Sequence, residues 1–265
     1  SDVCSSDLRR TRTFIKNNYA LKDEKGNEFL TFSNGDKFYF PQRIAKPIEH
    51  SFDKGDPARL MVSDETLDAI TDLKLPRYGL ARYVNPKYKT TTKEDELIEK
   101  WEKASGHLSG FVRTGLFKRL SSCGKSFVIS LQRHLARNEM WIYALEKQLP
   151  IPVGSVLESM LDPGNGDFST LDEDNDLDLV QGINSGQAKS DYETLKRKDP
   201  TGVDWVHPEI FSNTLRKDLD LDSAVLSQLL ENYGEVNEKN DSKLRTLFDT
   251  ISKQYKNQKI GRAHV

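Results

Sequence analysis

Apolar residues recur at helical spacing across the middle of this chain, and this pattern constrains its fold more than any other feature. One stripe includes Leu97, Trp101 and Leu116 and is interrupted by glycines, and a second runs from Phe127 to Leu145. Because residues three and four apart share one face of a helix, both stripes predict amphipathic helices with a buried side. The sequence therefore predicts a mainly α-helical fold.

A small β-hairpin is predicted nearer the start of the chain. The aromatic runs Phe29–Phe32 and Lys37–Phe40 flank Ser33–Asp36, which contains Asn34-Gly35. Asn-Gly can adopt the two positive φ angles of a type I′ turn, so this turn is predicted between two antiparallel strands.

Further helices are predicted on both sides of the apolar stripes. Ser63 is a suitable N-cap for a helix that ends before Pro76. Toward the C-terminus, the spacing of apolar residues from Leu219 to Tyr233 predicts a helix that Gly234 stops, and Asp241-Ser242 can cap a last helix.

Positive charge is concentrated in the helical middle, although the formal net charge of the chain is only −2. Between Phe111 and Lys147, only Glu139 and Glu146 oppose seven cationic side chains. Such a patch can bind phosphates in a salt-dependent manner, and it is equally typical of a solvated helix face. The seven are Arg113, Lys118, Arg119, Lys125, Arg133, Arg137 and Lys147.

Several classes of protein are disfavoured by what the sequence lacks. Two cysteines, Cys4 and Cys123, cannot form a disulfide framework or a four-cysteine zinc site. The sequence has no apolar run of about 18 residues for a membrane span and no secretory signal pattern, so we expect a cytoplasmic protein without a membrane partner. No catalytic set, cofactor site or metal site is predicted within these residues.

Two short motifs resemble ligand-binding loops but depart from them at essential positions. Cys123–Ser126 resembles the end of a phosphate-binding loop, yet Arg119 stands at its first glycine position and helical residues precede it. The alternating carboxylates of Asp172–Asp178 resemble a calcium loop, yet Leu177 stands where the sharp turn needs Gly. The favoured interpretations are a helix start and an acidic linker or long loop over residues 161–200.

The two ends of the chain are expected to derive from a sequencing adapter. Residues 260–265 can be encoded by a DNA string whose reverse complement encodes the chain from Asp2 onward, and both strings match a common adapter. We therefore expect residues 1–8 and 260–265 to be non-native and the remainder to be an internal fragment of a longer protein.

Three segments of the remainder resemble the Swi/Snf-type ATPases of helicase superfamily two, especially the bacterial branch associated with DNA repair, restriction and phage defence. Arg9–Arg12, with Phe40–Arg43 downstream, resembles the stretch that leaves the first RecA-like lobe. Arg113–Ser122 is similar to a helical element of the bacterial relatives, with Ser121 in place of the usual Glu. Asp241–Leu244 resembles the helix that precedes the first strand of the second lobe.

This resemblance implies a mainly α interlobe region, with a small β-hairpin, of a two-lobed α/β (RecA-like) helicase. The native residues would then fall into four stretches. They are the exit of the first lobe with the hairpin at 9–60, a helical protrusion at 61–160, the acidic linker or long loop at 161–200, and helices leading into the second lobe at 201–259.

The resemblance also implies that the parent protein couples hydrolysis of ATP, with Mg²⁺, to movement on duplex DNA. Its ATP-binding motifs would lie before Arg9 and its arginine fingers after Lys259, so the fragment itself would be inactive and its partners would be DNA and the rest of the polypeptide. The candidates for DNA-backbone or interlobe contacts are Arg10, Arg12, Arg113, Lys118 and Arg119. The alternative is a non-enzymatic helical scaffold or interaction module with a basic docking patch.

Overall fold

Helices make up most of the structure, a computed structural model that describes residues 12–40, 47–105, 107–154, 187–198 and 203–254. The predicted mainly α fold is thus confirmed. The chain divides between Glu49 and His50 into two units, each with its own contacts.

The first unit contains one short helix and a three-stranded antiparallel sheet in the order β1-β2-β3. Phe29 is buried and lies 5.3 Å, between ring centroids, from Tyr39 on the neighbouring strand. The predicted hairpin is confirmed as β2 and β3, whereas the two-residue strand β1 was too short to leave a sequence pattern. The elements are α1 (Arg12–Tyr19), β1 (Leu21–Lys22), β2 (Glu28–Thr31) and β3 (Lys37–Tyr39).

The predicted type I′ turn of the hairpin is wrong. Gly35 has a φ of 86°, whereas Asn34 does not adopt a positive φ. The N–H of Gly35 donates to the Phe32 carbonyl and the N–H of Phe32 donates to the Asp36 carbonyl, each at 2.9 Å, which is the pattern of a three-residue loop with one left-handed glycine. The Asn34 side chain accepts from the N–H of Asp36 at 3.1 Å, an interaction within the loop that stabilises this three-residue geometry.

The second unit is built from helices with one pair of antiparallel strands, in which Ile151 lies opposite Val206. Short 3₁₀ turns connect several of these elements. Its helices are α2 (Ala58–Met61), α3 (Asp64–Asp72), α4 (Thr92–Ser105), α5 (Leu108–Ser122), α6 (Gly124–Glu146), α7 (Gln187–Lys198), α8 (Asn213–Tyr233) and α9 (Ser242–Gln254), and its strands are β4 (Ile151–Gly154) and β5 (Val203–Val206).

The helix caps predicted at Ser63, Gly234 and Asp241 agree with the structure. The Ser63 hydroxyl accepts from the N–H of Thr66 at 3.4 Å, and Asp241 accepts from the N–H of Leu244 at 2.8 Å, so each caps the helix that follows it. Gly234 adopts a φ of 62° directly after α8. The first apolar stripe forms two helices, α4 and α5, and Gly110 lies inside the second of them.

Part of the predicted linker is helical. Residues 187–198 form α7, so an acidic linker or long loop is wrong for these residues, and residues 155–186 lie outside the described part of the chain. Tyr192 and Leu195, three residues apart, are buried, and the Tyr192 hydroxyl donates to the Pro150 carbonyl at 2.9 Å. The composition of this stretch did not reveal the helix, because most of its residues are polar or charged.

The two longest helices, α6 and α8, pack against each other in antiparallel orientation. Phe127 at the start of α6 lies 6.2 Å, between ring centroids, from Tyr233 at the end of α8. At the opposite end, Arg216 near the start of α8 donates to Glu146 at the end of α6 at 2.7 Å. The second apolar stripe of the sequence therefore becomes the central surface of this unit.

Two core clusters lie along this helix pair. One surrounds the start of α6 and the end of α8, and the other surrounds the end of α6 and the start of α8. The largest buried side chains are Met61, Ile70, Phe127, Leu131 and Leu226 in the first of these and Trp101, Ile151, Ile210, Leu215 and Leu219 in the second.

We expect Leu131→Ala to lower the free energy of unfolding by about 2–5 kcal/mol, because Leu131 is fully buried in the core cluster that surrounds the start of α6 and the end of α8, and its truncation leaves a cavity. Urea denaturation measures the change. Leu221→Ala on the exposed side of α8 is the matched control and should stay within about 0.5 kcal/mol of the unaltered chain. Equal losses for the two variants would contradict the α6–α8 interface described above.

Candidate nucleic-acid interface

The turn that joins α5 to α6 carries exposed positive charge on both sides. Lys118 lies near the end of α5 and Lys125 in the first turn of α6, and both side chains are exposed. Cys123 forms the turn itself, and its Sγ accepts from the N–H of Ser126 at 3.3 Å. We call the surface formed by Lys118, Ser121, Ser122, Lys125 and Lys243 the α5–α6 corner.

Lys243 of α9 completes this corner from a distant part of the sequence. Its ammonium group donates to the carbonyl oxygens of Ser121 at 2.6 Å and Ser122 at 2.7 Å, the last two residues of α5. Carbonyls at the C-terminus of a helix lack intrahelical donors and carry partial negative charge. Lys243 therefore satisfies both carbonyls and neutralises this end of α5.

A separate set of contacts holds the start of α9 in place. The buried carboxylate of Asp56 accepts from the Ser242 N–H at 2.9 Å and from the Ser242 hydroxyl, and Arg245 forms an ion pair with Asp53. Burial opposes ionisation of Asp56, but the hydrogen bonds from Ser242 and from the Ala58 N–H outweigh it and hold the pKa of Asp56 below its ordinary value. Asp56 thus remains a charged hydrogen-bond acceptor at the start of α9.

The corner contains no acidic side chain of its own. The sequence from Leu108 to Asn138, which forms all of α5 and most of α6, has no Asp or Glu. The first turn of α6 also lacks an acidic residue, so the partial positive charge of this helix end is not offset by its own helix. An anion that approaches the corner therefore meets exposed cations on α5 and α6, beside a helix end that Lys243 of α9 neutralises.

The predicted contact residues have different surroundings. Arg10 lies outside the described residues, and Arg12 begins α1 in the first unit. Lys118 is exposed at the corner, and Arg119 is half-buried in the last turn of α5. Arg113 donates from Nη2 to the Leu73 carbonyl at 2.5 Å and its Nε is buried, so its guanidinium group packs inside the second unit.

A layer of buried polar side chains crosses the helix pair α6 and α8 between the two core clusters. Arg77 donates from Nε to the Asn138 side chain at 2.9 Å, and its Nη2 lies 3.3 Å from Nδ1 of His134. Because a guanidinium group only donates, we infer that His134 accepts at Nδ1 and carries its proton on Nε2. Burial and the neighbouring guanidinium groups of Arg77 and Arg137 hold the pKa of His134 well below its ordinary value.

Asp222 of α8 belongs to the same layer and fixes a bent segment of the backbone. Its carboxylate accepts from the N–H groups of Lys74 and Leu75 at 2.8 and 2.7 Å. Leu75 has a φ of 49°, an unfavourable value for a residue with a side chain, so the surrounding contacts must hold it there. Burial is the largest influence on Asp222 and raises the pKa of its carboxyl despite the two hydrogen bonds.

Sequence reasoning missed this layer although its pattern contains a signal. Asp222 lies three residues after Leu219 and four before Leu226, and His134 lies three after Leu131, so both occupy the apolar faces of their helices. A polar residue at such a position must find a buried partner. Lys243 left no comparable signal, because nothing in the sequence relates it to Ser121 and Ser122.

The resemblance of Cys123–Ser126 to a phosphate-binding loop is not matched by its surroundings. α5 leads into the turn and α6 begins at Gly124, so the interpretation as a helix start is confirmed. The alternating carboxylates Asp172–Asp178 lie outside the described residues. Among the residues that are described, no group of three or more His, Cys, Asp or Glu could hold a metal ion.

A cleft of about 750 Å³ lies elsewhere on the second unit, beside the start of α8. Lys87 and Lys89 line it together with Glu209, and its Arg216 is bound to Glu146 and Asp220. The charges in this cleft are therefore mixed, whereas those of the α5–α6 corner have one sign.

No protein-family model matches the chain, and no curated protein or solved structure is significantly similar to it. Within the described ranges, none of the helices has the length and apolar character needed to cross a membrane.

We expect the free energy of unfolding to fall as the pH drops below about 6.5, the ordinary pKa of histidine. Below this pH, His134 is protonated in the unfolded chain but stays neutral where it is buried in the folded chain. The free energy of unfolding therefore falls by about 1.4 kcal/mol per pH unit until the pKa of folded His134 is reached. Urea denaturation between pH 7.5 and 5.5 measures the slope.

The variant His134→Gln should remove the part of this slope that His134 contributes. Comparing variants is necessary because the raised pKa of Asp222 acts in the opposite direction at lower pH. Identical slopes for the unaltered chain and His134→Gln would contradict a neutral, buried His134.

Proposed function

We propose that this chain is an internal region of a bacterial Swi/Snf-type ATP-dependent DNA translocase and that the α5–α6 corner contacts the DNA backbone. The single observation that carries the proposal is the meeting of two segments that separately resemble this family. Lys243, from the segment Asp241–Leu244, binds the end of the helix formed by Arg113–Ser122. About 120 residues separate the two segments in sequence.

The electrostatics of the corner support contact with a polyanion. Lys118 and Lys125 are exposed, Lys243 neutralises the end of α5, and the whole of α5 lacks acidic residues. Phosphate contacts of this kind would position a motor on DNA without reading base sequence. They would also make binding fall steeply as the salt concentration rises.

The helical character of the second unit is consistent with a mechanical role between two lobes. A translocase closes two lobes on ATP and needs rigid elements that transmit this closure to DNA. In this proposal, the packed pair α6 and α8 would serve as such an element. ATP and Mg²⁺ would bind in the lobes of the parent protein, and no residue described here is assigned to them.

The second candidate function is a non-enzymatic scaffold or interaction module. The observation that favours it is an exposed apolar stripe along α9, formed by Leu244, Leu247, Phe248 and Ile251. Positions i, i+3, i+4 and i+7 of a helix form one continuous face, which is the pattern of a surface that packs against another element.

The proposal predicts salt-dependent binding of duplex DNA by the 265-residue chain. We expect the double variant Lys118→Ala, Lys125→Ala to weaken binding and to reduce the slope of log K against log salt by about 0.9 for each lost phosphate contact. Fluorescence anisotropy of a labelled duplex at several salt concentrations measures both quantities.

The matched control is the double variant Lys103→Ala, Lys189→Ala, which removes the same charge from α4 and α7, where each lysine pairs with a glutamate on its own helix. It should leave the slope unchanged. The proposed DNA contact would be overturned if the unaltered chain showed no salt-dependent binding or if the two double variants had equal effects.

Sequencing the continuous reading frame in the source DNA tests whether the parent protein is a translocase. Sequencing through both adapter junctions should reveal a Gly-Lys-Thr or Gly-Lys-Ser phosphate-binding loop and an acidic metal-binding motif upstream, with arginine fingers downstream. A frame that closes without these motifs would exclude the translocase and favour the scaffold.

A further inference from the structure

We infer that Lys243 is a positioning residue for phosphate binding: by binding the C-terminal carbonyls of α5, it allows a phosphate to approach Lys118 and Lys125. This inference rests on the proposed function of the α5–α6 corner. It assigns Lys243 an indirect role that differs from that of the two exposed lysines.

The end of α5 would oppose a phosphate if Lys243 were absent. The carbonyls of Ser121 and Ser122 belong to the last turn of a fifteen-residue helix, where the partial negative charge of the helix is concentrated. Lys118 lies on the same final turns, so a phosphate bound there would be close to this negative end. By binding both carbonyls, Lys243 neutralises this partial negative charge.

Lys243 has little capacity left to hold a phosphate directly. An ammonium group has three N–H donors, and two of them are directed to Ser121 and Ser122 at 2.6 and 2.7 Å. Its side chain is also half-buried, whereas those of Lys118 and Lys125 are exposed. Lys243 therefore binds the end of α5, whereas Lys118 and Lys125 are free to contact a phosphate from solvent.

The attachment of α9 does not depend on Lys243 alone. Asp56 receives two hydrogen bonds from Ser242, and Arg245 pairs with Asp53. We therefore expect Lys243→Met to retain the position of α9 while it removes both the ammonium charge and the cap on α5.

The test measures the affinity and the salt slope of duplex DNA binding for three variants of the 265-residue chain. Lys243→Met should weaken binding about two- to fivefold at low salt, the effect expected for a charge at a helix end, with no change in slope. Lys243→Arg should bind as the unaltered chain does, because it keeps the charge and the donors. Lys253→Met, which removes a lysine from the other end of α9, should have little effect.

Each contrary result has a distinct meaning. A slope reduced by about 0.9 in Lys243→Met would make Lys243 a direct phosphate contact and overturn the inference. Equal weakening by Lys253→Met would mean that the loss depends only on net charge, and it would overturn the inference. Faster amide hydrogen exchange throughout α9 in Lys243→Met would mean that the loss comes from detachment of this helix, and it would also overturn the inference. Absence of salt-dependent binding by the unaltered chain would overturn the proposed DNA contact, and with it this inference.

Discussion

The antiparallel packing of α6 against α8 is the interaction on which the rest of the second unit depends. Both core clusters are built on this pair, and the shorter helices α3, α5 and α7 each bury apolar side chains in one of these clusters. A helix of this length gains most of its stability from burying an apolar face, so neither long helix would be expected to persist without the other. Phe127 with Tyr233 at one end, and Glu146 with Arg216 at the other, set the direction of the pair.

The buried polar layer gives this helix pair a defined register. Two apolar faces can shift along one another at a modest cost in free energy. The buried Asp222, in contrast, needs the N–H groups of Lys74 and Leu75 as donors, and His134 needs Arg77. The same layer fixes the segment from Leu73 to Tyr78, because Arg113 binds its first carbonyl and Asp222 its next two amides. Arg113 therefore has a role in packing that its place in a basic stretch of sequence concealed.

The α5–α6 corner shows how a surface charge pattern depends on tertiary contacts. In sequence, Arg113, Lys118 and Arg119 form a single cluster, but the structure directs Arg113 inward and leaves Lys118 exposed. Lys243 joins the corner from about 120 residues away and neutralises the partial negative charge at the end of α5. The candidate DNA contact is thus a property of three helices rather than of one basic segment.

Local sequence was enough to locate the longer helices and several of their ends, because apolar periodicity and capping residues such as Ser63, Asp241 and Gly234 act over only a few residues. It also located the hairpin and its turn but not the turn type, because hydrogen bonding by Asn34 and the left-handed Gly35 favoured a three-residue loop. Packing between distant segments determines that α7 forms a helix, that Asp222 and His134 are buried with partners, and that Lys243 contacts Ser121 and Ser122. These outcomes depend on groups far apart in sequence, whose contact is settled by how the helices pack and not by any local preference.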